Sequence, residues 1–238
     1  MNPSYPELLH KVKTQGHTHV SQHGNTMEYL GATVLSMPGE IVRRTNINYN
    51  IGYMEALQLI AGVYNIHAMI EAAPNASHKL FTLPMAYGPR VAIQMPRLIE
   101  KLKEDPSTRQ AIAFIGTPAD GATNDPPCTT TIQFLLRQGV LYGFVAMRSW
   151  DLIKGLPYDF MMFHALVAVT AHCLGVQPGP VLVNAASAHI YERDMEREAM
   201  VDSGRSFAIN PNLPTDWMLI REMAQEQVLN FSEWNKAE

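Results

Sequence analysis

Several features that would place a chain quickly are scarce or missing in these 238 residues. Cysteine occurs only at Cys128 and Cys173, too few for a disulfide framework, so a reducing, cytoplasmic compartment is expected rather than secretion. No stretch approaches the roughly 18 uninterrupted apolar residues of a membrane span, and the opening Met1-Asn2-Pro3-Ser4-Tyr5-Pro6 has no long apolar run. A soluble protein without a membrane partner is expected. Net charge is -4 and the pI is near 6.1, so no basic field attracts a polynucleotide, although a small anion needs only local arginines. Neither familiar spacing of a glycine-rich phosphate loop occurs. Repeats, low-complexity tracts and dividing linkers are also missing. With 47% hydrophobic residues, residues 1–238 are expected to bury one substantial core as a single domain.

What is present is an irregular alternation of two periodicities. Alternating or apolar runs at 27–35, 110–116, 130–136, 140–147 and 181–190 predict strands. Helical spacing appears at 51–70, 90–103, 159–174 and 216–228. The stretch 116–127 crowds Gly, Pro, Asn and Asp and predicts a loop. The order argues for an α/β (α+β mixed) fold, a mixed β-sheet packed by long helices rather than a regular βαβ winding.

The loop leads into Pro127-Cys128-Thr129-Thr130-Thr131. A cysteine attacks as thiolate, which a nearby arginine favours, and a Pro-Pro turn at the mouth of a strand can expose Cys128 to a ligand. Cys173, inside an apolar helical run, is a packing residue. After Cys128 come Arg148-Ser149-Trp150-Asp151, then Gly155-Leu156-Pro157-Tyr158-Asp159, then Ala188-His189-Ile190-Tyr191. His189 and Tyr191 lie two apart on a strand and so face the same way. Asp159 is open to a plainer explanation as the N-cap of a helix starting at Phe160.

The order and spacing from Pro127 to Tyr191 resemble the core of the thymidylate synthase superfamily, weakly extended upstream to about Thr26. The resemblance implies a thymidylate synthase-like fold and a sheet-to-sheet homodimer. It implies that Cys128 adds to C6 of a pyrimidine, that Arg148 and Ser149 hold the nucleotide phosphate, and that His189 and Tyr191 contact the sugar hydroxyl. Asp151 matches an aspartate near the folate pterin ring. Tyr87, in Ala86-Tyr87-Gly88-Pro89, matches a Tyr-Gly turn on the cofactor side. Glu55, in Gly52-Tyr53-Met54-Glu55, matches the catalytic glutamate. Arg109, in Asp105-Pro106-Ser107-Thr108-Arg109, matches an arginine that reaches the neighbouring subunit's phosphate. The chain departs from the pattern at Gln110, where a second arginine is usual, in the stretch Ser21-Gln22-His23-Gly24-Asn25-Thr26, which has no arginine, and at the C-terminus, which lacks the usual closing tail.

At Asp159 a uracil-specific member carries Asn. An amide matches uracil's N3–H donor and O4 acceptor, whereas a carboxyl matches cytosine's amine plus one proton shared with N3. The run Cys128-Thr129-Thr130-Thr131 also looks closer to deoxycytidylate hydroxymethylases than to thymidylate synthases, which usually carry His after the nucleophile. The resemblance therefore implies transfer of a one-carbon unit from 5,10-methylenetetrahydrofolate to C5 of a cytidine monophosphate, forming 5-hydroxymethyl-dCMP, with Glu55 acting on the water. The alternatives are a CMP hydroxymethylase of nucleoside-antibiotic pathways, a dCMP C5-methylase and a non-catalytic nucleotide-binding homologue. From another class comes a metal protein built on His17, His19 and His23.

Overall fold

The computed structural model describes residues 3–44, 47–74, 86–197, 199–203, 210 and 212–231. In chain order it runs α1 (Tyr5–Gln15), β1 (His17–Ser21), β2 (Gly24–Ser36), β3 (Glu40–Arg44), α2 (Tyr49–Ala61), α3 (Ile66–Ala72), α4 (Gly88–Val91), α5 (Met95–Glu104), β4 (Ile112–Phe114), β5 (Thr129–Arg137), β6 (Val140–Asp151), α6 (Leu156–Leu174), β7 (Gln177–Tyr191), β8 (Ala199–Ser203) and α7 (Trp217–Leu229). Six strands form one sheet in the order β1-β2-β7-β6-β5-β4, and β3 pairs with β8 separately. Among the described strands of this sheet only β6 and β7 run parallel, joined by α6 as crossover; the other neighbours are antiparallel. The mixed sheet expected from the sequence is present.

Alternation explains which face the helices cover. Ile132 and Phe134 on β5, Val145 on β6, Val183 on β7 and Val34 on β2 are at most 3% exposed and join one continuous core with α6. Each such side chain contributes about 1.5–3 kcal/mol by leaving water. The residues between them, among them Gln133, Leu135, Tyr142, Phe144, Leu182 and Leu35, are only partly buried and lie outside that core. Among the described residues no second helical layer covers that face.

Three strands break their pairing at the same line across the sheet. The β6–β7 register passes from Met147↔Ala185 to Ser149↔Ser187, and the β2–β7 register passes from Ala32↔Ala185 to Leu30↔Ser187. Gly31, Arg148 and Ala186, the skipped residues, are all exposed. Beyond the line the buried parity reverses: Trp150, Ala188 and Ile190 are buried where Met147 and Ala185 were before it. A local kink of this kind re-aims side chains, which periodicity alone does not foresee.

Two helix expectations change. The run 51–70 is divided into α2 and α3 because Gly62 takes a left-handed φ of 71° and caps α2 through its N–H on the Gln58 carbonyl. The run 90–103 is divided into the short α4 and α5. The C-terminal stretch 232–238 lies outside the described residues.

Candidate active site

The site gathers where α2 crosses the start of α6, opposite the ends of β5, β6 and β7. The crossing is close at Gly52, where a Cβ would lie 2.5 Å from Met161 Sδ. One helical turn on, Glu55 faces Asp159, two residues before Met161. Asp159 is not a helix cap: α6 begins at Leu156 with Gly155 as N-cap, and the Asp159 N–H donates to the Gly155 carbonyl. The plainer explanation of this aspartate is therefore removed. Its Oδ2 instead accepts a hydrogen bond from Trp150 Nε1 at 2.9 Å.

Burial shifts both carboxyls in the same direction. Burial pushes the Glu55 carboxyl up to about 8, and the Asp159 charge adds to the rise. Burial likewise pushes Asp159 up to about 7, opposed by the Trp150 hydrogen bond and reinforced by Asp151. By surface area both residues keep some exposure, so each is deep but opens onto the cleft. The Asp159 charge reaches Glu55, so the two protonation states are linked.

Cys128 is partly buried at the entry to β5. Burial raises its thiol, Arg148 lowers it, and Asp159, Asp125 and Asp151 raise it again. Arg148 pulls toward the thiolate as expected, but burial and the three carboxyls outweigh it. The Arg148 guanidinium also donates through Nη2 to the Pro126 carbonyl at 2.7 Å and through Nε to that of Pro127 at 3.1 Å. It braces the Pro-Pro turn, while its backbone N–H meets the Cys128 carbonyl at 2.8 Å. A cavity of about 410 Å³ adjoins this brace, lined by Arg148, Pro126, Pro127, Thr130 and the 116–118 segment.

Around Cys128 stand the remaining candidates. Tyr87 Oη accepts from the Thr129 N–H at 3.1 Å, and burial with the charges of Asp159 and Cys128 raises its phenol. Asp151 and His189 are ladder partners. Asp151 Oδ1 accepts the N–H groups of Ile153 and Lys154, closing the turn into α6. Burial lowers the His189 imidazole against the pull of Asp151 and Glu28. His189 and Tyr191 meet edge to face, centroids 5.2 Å apart, as two residues on one strand face allow. Ser149 lies opposite Ser187, whose Oγ donates to Glu28 Oε1 at 2.5 Å.

One predicted residue stays apart. Arg109 is exposed beside the sheet's β4 edge; its carbonyl accepts from Gln133 Nε2. His17 and His19 are exposed on β1 and His23 bonds Gln22 in the following turn, and no three metal-ligating side chains converge among the described residues. Two further contributors escaped the sequence reading. Trp150 sits inside the Arg148–Asp151 run, but its donor role depends on the sheet kink. Arg90 and Asp120 form a two-pronged ion pair with contacts at 2.6 and 2.7 Å, joining the Tyr87 turn to the loop before Cys128. No local pattern links residues 30 apart.

Residues 77–225 match the thymidylate synthase family. The chain belongs to that family. It is 32% identical over 104 residues to a putative thymidylate synthase of Methanosarcina barkeri, covering 43% of this chain and 48% of that protein. A putative thymidylate synthase of Methanosarcina acetivorans matches to the same extent. It is also 26% identical over 242 residues to a deoxyuridylate hydroxymethyltransferase of Bacillus phage SP01, covering 89% of this chain and 62% of that protein. The chain thus spans about half to three-fifths of the length of these relatives.

Proposed function

We propose that this protein is a folate-dependent pyrimidine nucleotide hydroxymethyltransferase that converts dCMP to 5-hydroxymethyl-dCMP. The carrying observation is Asp159: a carboxyl deep in a cleft, free of any capping duty, beside Glu55 and Cys128. Raised to about 7, Asp159 holds a proton at neutral pH about half the time. That proton fits between its carboxylate and N3 of cytosine while the other lone pairs receive the exocyclic amine. Uracil, with a donor at N3, has no use for it.

Cys128 adds to C6, which makes C5 nucleophilic. As the C5 proton leaves, water adds to the new exocyclic carbon and Cys128 departs, with Glu55 positioning and deprotonating the water. When bound, 5,10-methylenetetrahydrofolate would supply the one-carbon unit as a CH2 group that becomes bonded to C5, and would depart as tetrahydrofolate before the water adds. Asp151 fits a donor-bearing pterin, because Oδ1 holds the turn while Oδ2 has no hydrogen-bond partner among the described residues; Tyr87 is assigned to the cofactor with it. Arg148 and Ser149, with Arg109 from a second copy, are assigned the phosphate; His189 and Tyr191 are assigned the sugar. The uncovered sheet face is the surface through which a homodimer would form.

A uridine nucleotide is the second reading, favoured by the name of the phage relative. Mass spectrometry of products from dCMP, CMP and dUMP with methylenetetrahydrofolate decides between them. Addition of CH2O to dCMP is expected; product from dUMP alone would overturn the cytosine assignment.

A further inference from the structure

We propose that Trp150 is the second half of the base-selecting unit, a positioning residue that fixes which atom of residue 159 faces the pyrimidine. The inference rests on the cytidine reading above and adds a determinant to it. Trp150 is 1% exposed, and its ring is held edge-on to Phe160 with centroids 5.6 Å apart. Its Nε1 meets Asp159 Oδ2 at 2.9 Å. Asp159 Oδ1 has no hydrogen-bond partner among the described residues, so it is the oxygen left for a ligand.

An indole N–H is a donor and nothing else. Whatever atom occupies the Oδ2 position must therefore accept. A carboxylate satisfies this in either orientation, and Trp150 then only fixes its plane. An amide does not. In Asp159→Asn the amide oxygen has to sit against Trp150, and the NH2 group takes the Oδ1 position facing the cleft. There it meets the O4 acceptor of uracil favourably and the N4 amine of cytosine unfavourably. Without the indole donor the amide is free to turn over and offer its oxygen to cytosine's amine. Trp150 thus converts residue 159 from a group of ambiguous polarity into one with a defined polarity.

Two predictions separate this role from simple packing. In the Asp159→Asn background, replacing Trp150 by Phe should reduce the uridine-over-cytidine preference in nucleotide binding by about three- to tenfold, the effect of one lost hydrogen bond. In the Asp159 background the same change removes a stabiliser of the carboxylate, so the pH at which cytidine monophosphate binding weakens should move upward. Incorporating benzothienylalanine at 150, which keeps the ring shape and replaces N–H by sulfur, should reproduce both effects and guards against a packing defect in Trp150→Phe.

The direct readout is the Asp159 carboxyl titration followed by carbon-13 NMR in the free protein. An upward displacement in the benzothienylalanine protein supports the role of Trp150 whatever nucleotide is used. An unchanged titration together with unchanged discrimination in the Asn background would overturn it. Failure of the cytidine reading appears separately, as wild-type protein that binds uridine monophosphate in preference to cytidine monophosphate.

Discussion

Cys128, Glu55 and Asp159 carry more protons at neutral pH than isolated groups would, because burial disfavours charge on each. Cys128→Ser should abolish turnover while leaving nucleotide binding within about twofold, since a hydroxyl is a far poorer nucleophile than a thiolate; equilibrium binding alongside a product assay checks both halves. The Asp159 proton sets the pH dependence. The binding-competent form is the protonated carboxyl, so cytidine monophosphate affinity should be flat below about pH 7, the value to which burial raises Asp159. Above it, affinity should fall about tenfold per pH unit, and calorimetric titrations across pH 6–9 with Asp159→Asn as control measure the limb. Stability follows the same sign. Both folded values lie above the ordinary ones, 3.8 for Asp159 and 4.5 for Glu55, so their contribution is full below those values and is lost as pH rises toward about 8. The loss is on the order of 2–4 kcal/mol after allowance for the open side of the cleft. Thermal midpoints should fall from pH 5 to pH 8.5, and Glu55→Gln should flatten the slope.

At the scale of elements, the loop before Cys128 is held at both ends. Arg148 grips the carbonyls of Pro126 and Pro127, and Asp120 accepts from Arg90 and from both the N–H and hydroxyl of Thr117. Arg90 also reaches the Ile115 carbonyl. These contacts hold the Asp120 carboxyl far below the usual carboxylate range, the Arg90 hydrogen bond first. Its stabilising effect is present above the ordinary value of 3.8 and is lost as pH falls below it. Asp120→Asn should therefore lower the thermal midpoint at pH 7, the difference from wild type should shrink as pH falls from 4 to 2, and scanning calorimetry across that range tests this. What was readable in the sequence divides along the same line. Strands β2, β5, β6 and β7 announce themselves by alternation, α7 by one buried stripe at Trp217, Ile220, Ala224 and Val228, and α6 because it is apolar and buried nearly all round. Strand β1 does not, since four of its five residues are exposed. Helix α1 was missed although Ser4 and Glu7 form its start, the Glu7 carboxylate accepting from the Ser4 N–H and hydroxyl. The candidate site residues were legible as a family pattern. Their partners, Trp150 on Asp159 and Arg90 on Asp120, were not, because only the fold brings them together.

At the scale of the whole molecule, the sheet has one face covered by helices and one that no helix covers among the described residues. The bare face mixes Leu135, Tyr142, Phe144 and Leu182 with Gln133 and Asn184, a composition suited to burial against a partner sheet. It adjoins the β4 edge, where Phe114 is 58% exposed and Arg109 has no hydrogen bond or ion pair through its side chain among the described residues. An exposed arginine whose side chain has no partner among the described residues is available to serve a neighbouring subunit. Two copies meeting through this face would bring Arg109 of one toward the phosphate residues of the other, supplementing Arg148, whose donors are partly committed to the Pro-Pro turn. Mixing Arg109→Ala subunits with Cys128→Ser subunits tests the arrangement. Each homodimer is defective at every site, but the heterodimer has one site combining an intact Cys128 with its partner's intact Arg109. Random reassembly of equal amounts should therefore restore about a quarter of wild-type activity per site, the statistical share for a two-fold dimer. Heterodimers that form, as judged by native mass spectrometry, yet remain inactive would confine Arg109 to its own chain and leave the phosphate to Arg148 and Ser149.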